Sequence, residues 1–136
     1  MARKRVQTEA EKRFVAALNK ASYQKLFDKT YNFLMRQKVS SREGDTCLYK
    51  GPKNTRCAVG LHAPADVKLP EGHDIWSLVV VNVLTGLTSK KRIFLSRLQG
   101  IHDSYMPRPE NTEYGLARWQ EEMENMAQEY GLIFKK

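Results

Sequence analysis

Two cysteines, three histidines and the carboxylates near them are the groups with reactive potential in this 136-residue chain. Both cysteines fall in the stretch Cys47 to Gly60, CLYKGPKNTRCAVG, which also holds Tyr49 and the turn-forming Gly51 and Pro52. Three chemistries suit them. A structural zinc site takes four ligands, usually from two close pairs. Here nine residues separate Cys47 from Cys57 and neither belongs to a C-x-x-C pair, so no metal or other cofactor is expected. A thiol enzyme would use Cys57 as nucleophile, with its pKa lowered at a helix start, and His102 as base. Asp103 follows His102, but neighbours on a helix point about 100° apart. The orienting carboxylate is therefore expected from Asp66 or Asp74. The third reading is packing: free cysteine is among the most buried residue types, Gly51 and Gly60 serve backbone geometry, and His102 borders the face made by Leu95, Leu98 and Ile101.

The elements that must position these groups read as mostly helical. Thr8 and Glu11 have capping-box spacing before a helix to about Lys20. Ser22 can cap a second helix to about Lys38, with Tyr23, Leu26, Phe27, Tyr31 and Leu34 on one face and Lys25, Lys29 and Arg36 opposite. Residues 40–45 are a polar break. Residues 46–50 read as a strand and 51–54 as a turn, with 56–59 returning as a second strand or opening a short helix. The valine-rich 75–84 fits either a strand or a helix. Ser89 can cap a helix to about residue 105, stopped by Pro107 and Pro109, and a last helix spans about 112–130 and ends at Gly131. The expected fold is α+β, mostly α: about four helices around a small β-hairpin, with 78–84 open to a third strand. Residues 1–136 form one domain, and 1–6 are a flexible basic tail.

Charge supplies the main functional signal. The chain is +8 overall, and residues 1–42 carry all of that surplus while the rest is balanced. Such asymmetry points to an acidic partner, nucleic acid or an acidic protein surface, engaged through Arg3, Lys4, Arg5, Lys12, Arg13, Lys20, Lys25 and Lys29. No apolar run approaches the ~20 residues of a membrane span, and the N-terminal apolar patch is too short for a signal peptide. A cytoplasmic protein without membrane contact is expected.

Four blocks occur in a characteristic order: Cys47-x-Tyr49-Lys50-Gly51, Arg56-Cys57-Ala58-Val59-Gly60, Leu98-Gln99-x-x-His102-Asp103, and Ala127-x-x-Tyr130-Gly131-Leu132. In this the chain resembles a group of small hypothetical proteins of tailed phages and prophages, over roughly residues 30–132. Many members continue after Gly60 with a different segment, where this chain has Leu61-His62-Ala63-Pro64-Ala65-Asp66. The group has no established activity, so the resemblance implies origin (a host-cell cytoplasmic location if phage-encoded) and not mechanism. The leading expectation is a non-enzymatic accessory protein that binds a macromolecule, nucleic acid first. The alternatives are an inhibitor that occupies a host protein's acidic or nucleic-acid-binding groove, and the Cys57–His102 thiol enzyme.

Overall fold

The computed structural model describes residues 6–105 and 107–135. Five α-helices carry the fold: α1 (Glu9–Lys20), α2 (Tyr23–Gln37), α3 (Leu78–Val83), α4 (Ser89–Tyr105) and α5 (Thr112–Tyr130). Between α2 and α3 lies a two-stranded antiparallel hairpin, β1 (Arg42–Glu43) and β2 (Thr46–Cys47), followed by 3-10 turns at Pro52–Asn54 and Gly60–His62. The expected mostly helical α+β class is what the chain adopts. No helix among the described residues is long and apolar enough to cross a membrane. Of the expected basic tail, Arg3, Lys4 and Arg5 lie outside the described residues.

Local sequence accounts for most of the helix ends. Thr8 Oγ1 accepts the Glu11 N–H, and Glu11 accepts the Thr8 N–H, closing the capping box. Ser22 Oγ accepts the Lys25 N–H. Gly131 ends α5 at φ 67, a left-handed conformation that suits glycine. The cap of α4 sits one residue earlier than expected: Thr88 Oγ1, not Ser89, accepts the Lys91 N–H.

Two expectations need correction. Residues 78–84 form no third strand. The Asp74 carboxylate accepts the N–H groups of Trp76 and Ser77 at 2.8 and 3.0 Å, turning the chain into α3. That helix buries Val80 and Val83 and leaves Leu78 and Val79 exposed; just outside it Ile75 and Leu84 are buried and Trp76 is exposed. The hairpin is also displaced. The ladder lies across Gly44 and Asp45, inside the stretch expected as a polar break. The Gly51–Asn54 turn is closed by one isolated bridge, Lys50 to Arg56.

The core forms where α2, α4 and α5 meet. Phe27, Leu34, Phe94, Leu95, Leu98, Trp119, Met123 and Met126 are buried there, each contributing about 1.5–3 kcal/mol by leaving water. Tyr23 stacks on Phe94 with centroids 4.6 Å apart, and Tyr130 meets both edge-on. Beyond α5 the chain folds back. Phe134 packs on Phe27 and Tyr31, and the Gln24 side chain holds the backbone of Ile133 by both its N–H and its C=O. The long 38–77 segment buries Tyr49, Val59, Leu61, Val67 and Leu69 in the same core and is tied to α4 by hydrogen bonds from Val59 and Ser41.

Candidate functional site

The cleft between that segment and α4 is built from the residues singled out by spacing and resemblance. Its volume is about 260 Å³, and its walls include Cys47, Tyr49, Cys57, His73, Asp74, Gln99 and Asp103. One turn of α4 holds it together. Gln99 Oε1 accepts the Val59 N–H at 3.1 Å, and its Nε2 donates to Asp103 Oδ1 at 2.7 Å. The Leu98–Asp103 block is thereby tied to the Cys57–Gly60 block. Gly60 is required there, because a Cβ would stand 2.7 Å from the carbonyl carbon of Tyr49. Gly51 is confined by the hydroxyls of Ser41 and Thr55.

Donor atoms of Cys47, His102 and Asp103 lie within 4.8 Å of one another. His102 is fully buried and stacks on Trp119 at 5.4 Å. Its Nε2 accepts the backbone N–H of Ser41 at 3.1 Å. An amide cannot accept, so Nε2 carries no proton, and the neutral ring must hold its proton on Nδ1. Nδ1–H then donates to Asp103 Oδ1 at 2.8 Å. The neighbouring carboxylate therefore does orient His102, contrary to the expectation from the 100° helical offset. The aspartate side chain bends back to the preceding residue. Neither alternative orienter takes that place: Asp66 faces Arg13 at 3.7 Å, and Asp74 turns the chain into α3.

Hydrogen-bond directions also determine the electrostatics. Burial alone would raise the Asp103 pKa, but bonds from His102, Cys47 and Gln99 outweigh it and hold the carboxyl below the usual range. Cys47 sits on the other side of this exchange. Burial, then its bond to Asp103 and that group's negative charge, push the thiol up to about 12, with Arg42 opposing. Burial pushes Cys57 up to about 12 as well, against the N–H groups of Gly60 and Val59. Cys57 Sγ accepts the Gly60 N–H at 3.3 Å, so it serves the 3-10 turn. Burial raises the Tyr49 hydroxyl too, with Cys57, Asp74, Glu71 and Asp103 nearby, and that hydroxyl donates to the His73 carbonyl at 2.7 Å. Both cysteines are free thiols.

Cys47, not Cys57, is thus the thiol beside His102 and Asp103. Spacing alone gave no sign of this meeting, which joins a hairpin strand to a helix 55 residues later in the chain. Ser41, Trp119 and Glu71 also support the site without a sequence signal. Glu71 accepts the N–H groups of Tyr49 and Lys50 at 2.7 and 3.1 Å.

The basic residues are distributed differently. Lys12, Arg13, Lys20, Lys25 and Lys29 are all exposed on α1, α2 and nearby. Lys12 pairs with Glu9 within its own helix, an exposed contact of small energetic weight. Lys25 and Lys29 border a pocket of about 180 Å³ floored by Phe14, Leu18 and Leu26. Comparison of the chain with protein-family models, curated proteins and solved structures finds no match.

Proposed function

We propose that the Cys47–Asp103 cleft binds a thiophilic divalent cation, zinc or an ion of similar chemistry. The observation that carries this reading is the approach of the Cys47 sulfur to the Asp103 carboxylate within 4.8 Å, with that carboxylate held by His102, at a cleft whose wall includes a second carboxylate, Asp74. Among the described residues no lysine or arginine lines that cleft, although the chain is +8 overall. Cys47 sulfur and the Asp103 carboxylate are the ligands. His102 is not a ligand in the observed tautomer: a metal on Nδ1 would move its proton to Nε2, against the Ser41 N–H. It acts instead as the group that aims Asp103. The incoming cation displaces the thiol proton, so affinity rises with pH. Titration with cobalt(II) tests this through the thiolate-to-metal absorption band. One equivalent is expected to develop the band in the parent and not in Cys47→Ser. A parent without the band, or a Cys47→Ser variant that keeps it, removes the proposal.

A second reading, polyanion binding in the manner of a phage-type accessory protein, is favoured by the five exposed basic residues of α1, α2 and their junction. Affinity for single strands should then fall with salt at a log–log slope of about −0.7 per phosphate neutralised. Lys25→Glu with Lys29→Glu should weaken binding and flatten the slope. A salt-independent affinity rejects this reading. Capture of a host protein that survives nuclease treatment favours an acidic protein groove as the partner.

A further inference from the structure

A second depression, about 600 Å³ and open to solvent, lies between the end of α2 and the Pro52–Asn54 turn. Phe33, Arg36, Lys53, Asn54 and Thr55 line it, and among the described residues no carboxylate does. The backbone around it is unusual. Lys38, Lys53 and Asn54 are the non-glycine residues with positive φ among those described, at 69, 57 and 63. Two of them line the groove, and Lys38 sits between Gln37 and Val39, which also line it. At Lys38 the left-handed conformation is the cap that ends α2, and at Lys53 and Asn54 it turns the chain at the groove's far wall. Here it holds two cationic side chains beside the groove. Among the described residues, neither Arg36, Lys38 nor Lys53 forms an ion pair.

The groove continues a charged path. At 100° per residue, Lys25, Lys29 and Arg36 fall within an arc of about 40° on α2 and span about 16 Å along it. All three are exposed, on the face turned away from the buried Leu34. Phe33 lies at the edge of the same face and is half-buried. Cations spaced along a line and ending at an aromatic side chain suit a chain of phosphates that carries flat bases.

We propose that this groove is a nucleotide subsite for single-stranded nucleic acid, with phosphates along Lys25, Lys29 and Arg36 and one base against Phe33. The inference rests on the polyanion reading and narrows it from charge to charge plus base. Lys53 and Lys38 flank the nucleotide held at the end of the path. The groove shares no lining residue with the Cys47–Asp103 cleft.

Binding of a short oligothymidylate is compared with that of an abasic phosphodiester of equal length, by fluorescence anisotropy at several salt concentrations. Roughly tenfold tighter binding of the thymidylate is expected, from stacking of one base. Phe33→Leu keeps the apolar packing and should erase that advantage. Lys53→Asn, which keeps a residue tolerant of positive φ, should weaken both ligands. Equal affinity for both ligands, with the salt slope intact, overturns the subsite and leaves polyanion binding standing. Binding of neither overturns both. Thymidine monophosphate that binds as tightly as the oligomer assigns the groove to free nucleotides and overturns the strand path.

Discussion

Replacing His102 by leucine removes two hydrogen bonds but keeps an apolar side chain of similar bulk beside Trp119. The costs are unequal. Ser41 is fully buried, so its N–H loses its acceptor with no water to replace it, a penalty of roughly 1–3 kcal/mol. Asp103 loses the Nδ1–H donor, but its side chain is 40 % exposed and water can take that place, so about 1 kcal/mol or less is lost. The sum is about 1–4 kcal/mol, or roughly 4–14 °C in Tm for a chain of this length. Urea unfolding of the parent and His102→Leu measures it, with unchanged m-values securing the comparison. Exchange of the Ser41 amide should quicken in the variant. Two-bond proton–nitrogen NMR correlations in the parent should show the proton on Nδ1. A variant within 1 kcal/mol of the parent, or a parent ring protonated on Nε2, would refute the hydrogen-bond directions on which the site description depends.

Three other outcomes follow from the same contacts. With both thiols raised from 9.0 to about 12, the thiolate fraction at pH 8 is roughly a thousandfold below that of an ordinary cysteine, so alkylation of the native protein should be slow and unfolding should abolish the protection. Fast labelling of Cys57 at pH 6.5 would instead revive the activated-thiol reading. His62 donates to Thr30 Oγ1 at 2.8 Å, and burial first, then Lys29, depresses its pKa from 6.5 to about 3. The unfolded chain therefore binds a proton that the folded one refuses. Stability is full above pH 6.5 and falls toward pH 3, on the order of 1 kcal/mol per pH unit. Comparison of urea midpoints at pH 7 and 4.5 should show a shallower loss in His62→Gln, and parallel curves would contradict the burial of that ring. Gly60→Ala should cost about 3 kcal/mol or more, because the added carbon meets the backbone of Tyr49, and thermal melting at parental Tm would disprove that close approach.

Periodic and capping signals carried much of the helical frame. Thr8, Ser22 and Gly131 act through neighbours three or four residues away, and their roles were readable in the chain. The failures have separate causes. Whether 78–83 is helix or strand depends on Asp74 turning the chain before a short apolar run that fits both periods. The β1–β2 ladder is two residues long on each side, too short for alternation to mark it. At the site, Gln99, His102 and Asp103 were legible as a block, but their connection to Cys47, Ser41 and Val59 crosses 40 residues or more. Asp103 reaches the residue before it despite the helical offset, because an aspartate side chain is free to turn at its two torsions.

The stack of His102 on Trp119 gives the molecule an internal optical gauge. The chain has two tryptophans, and they differ sharply: Trp119 is sealed from solvent and Trp76 is 53 % exposed. Soluble quenchers will therefore silence Trp76 first and leave emission from the indole that touches the imidazole. Any ligand that tugs on Asp103 also shifts the ring bonded to it, so occupancy of the cleft can be read from residual fluorescence without a dye.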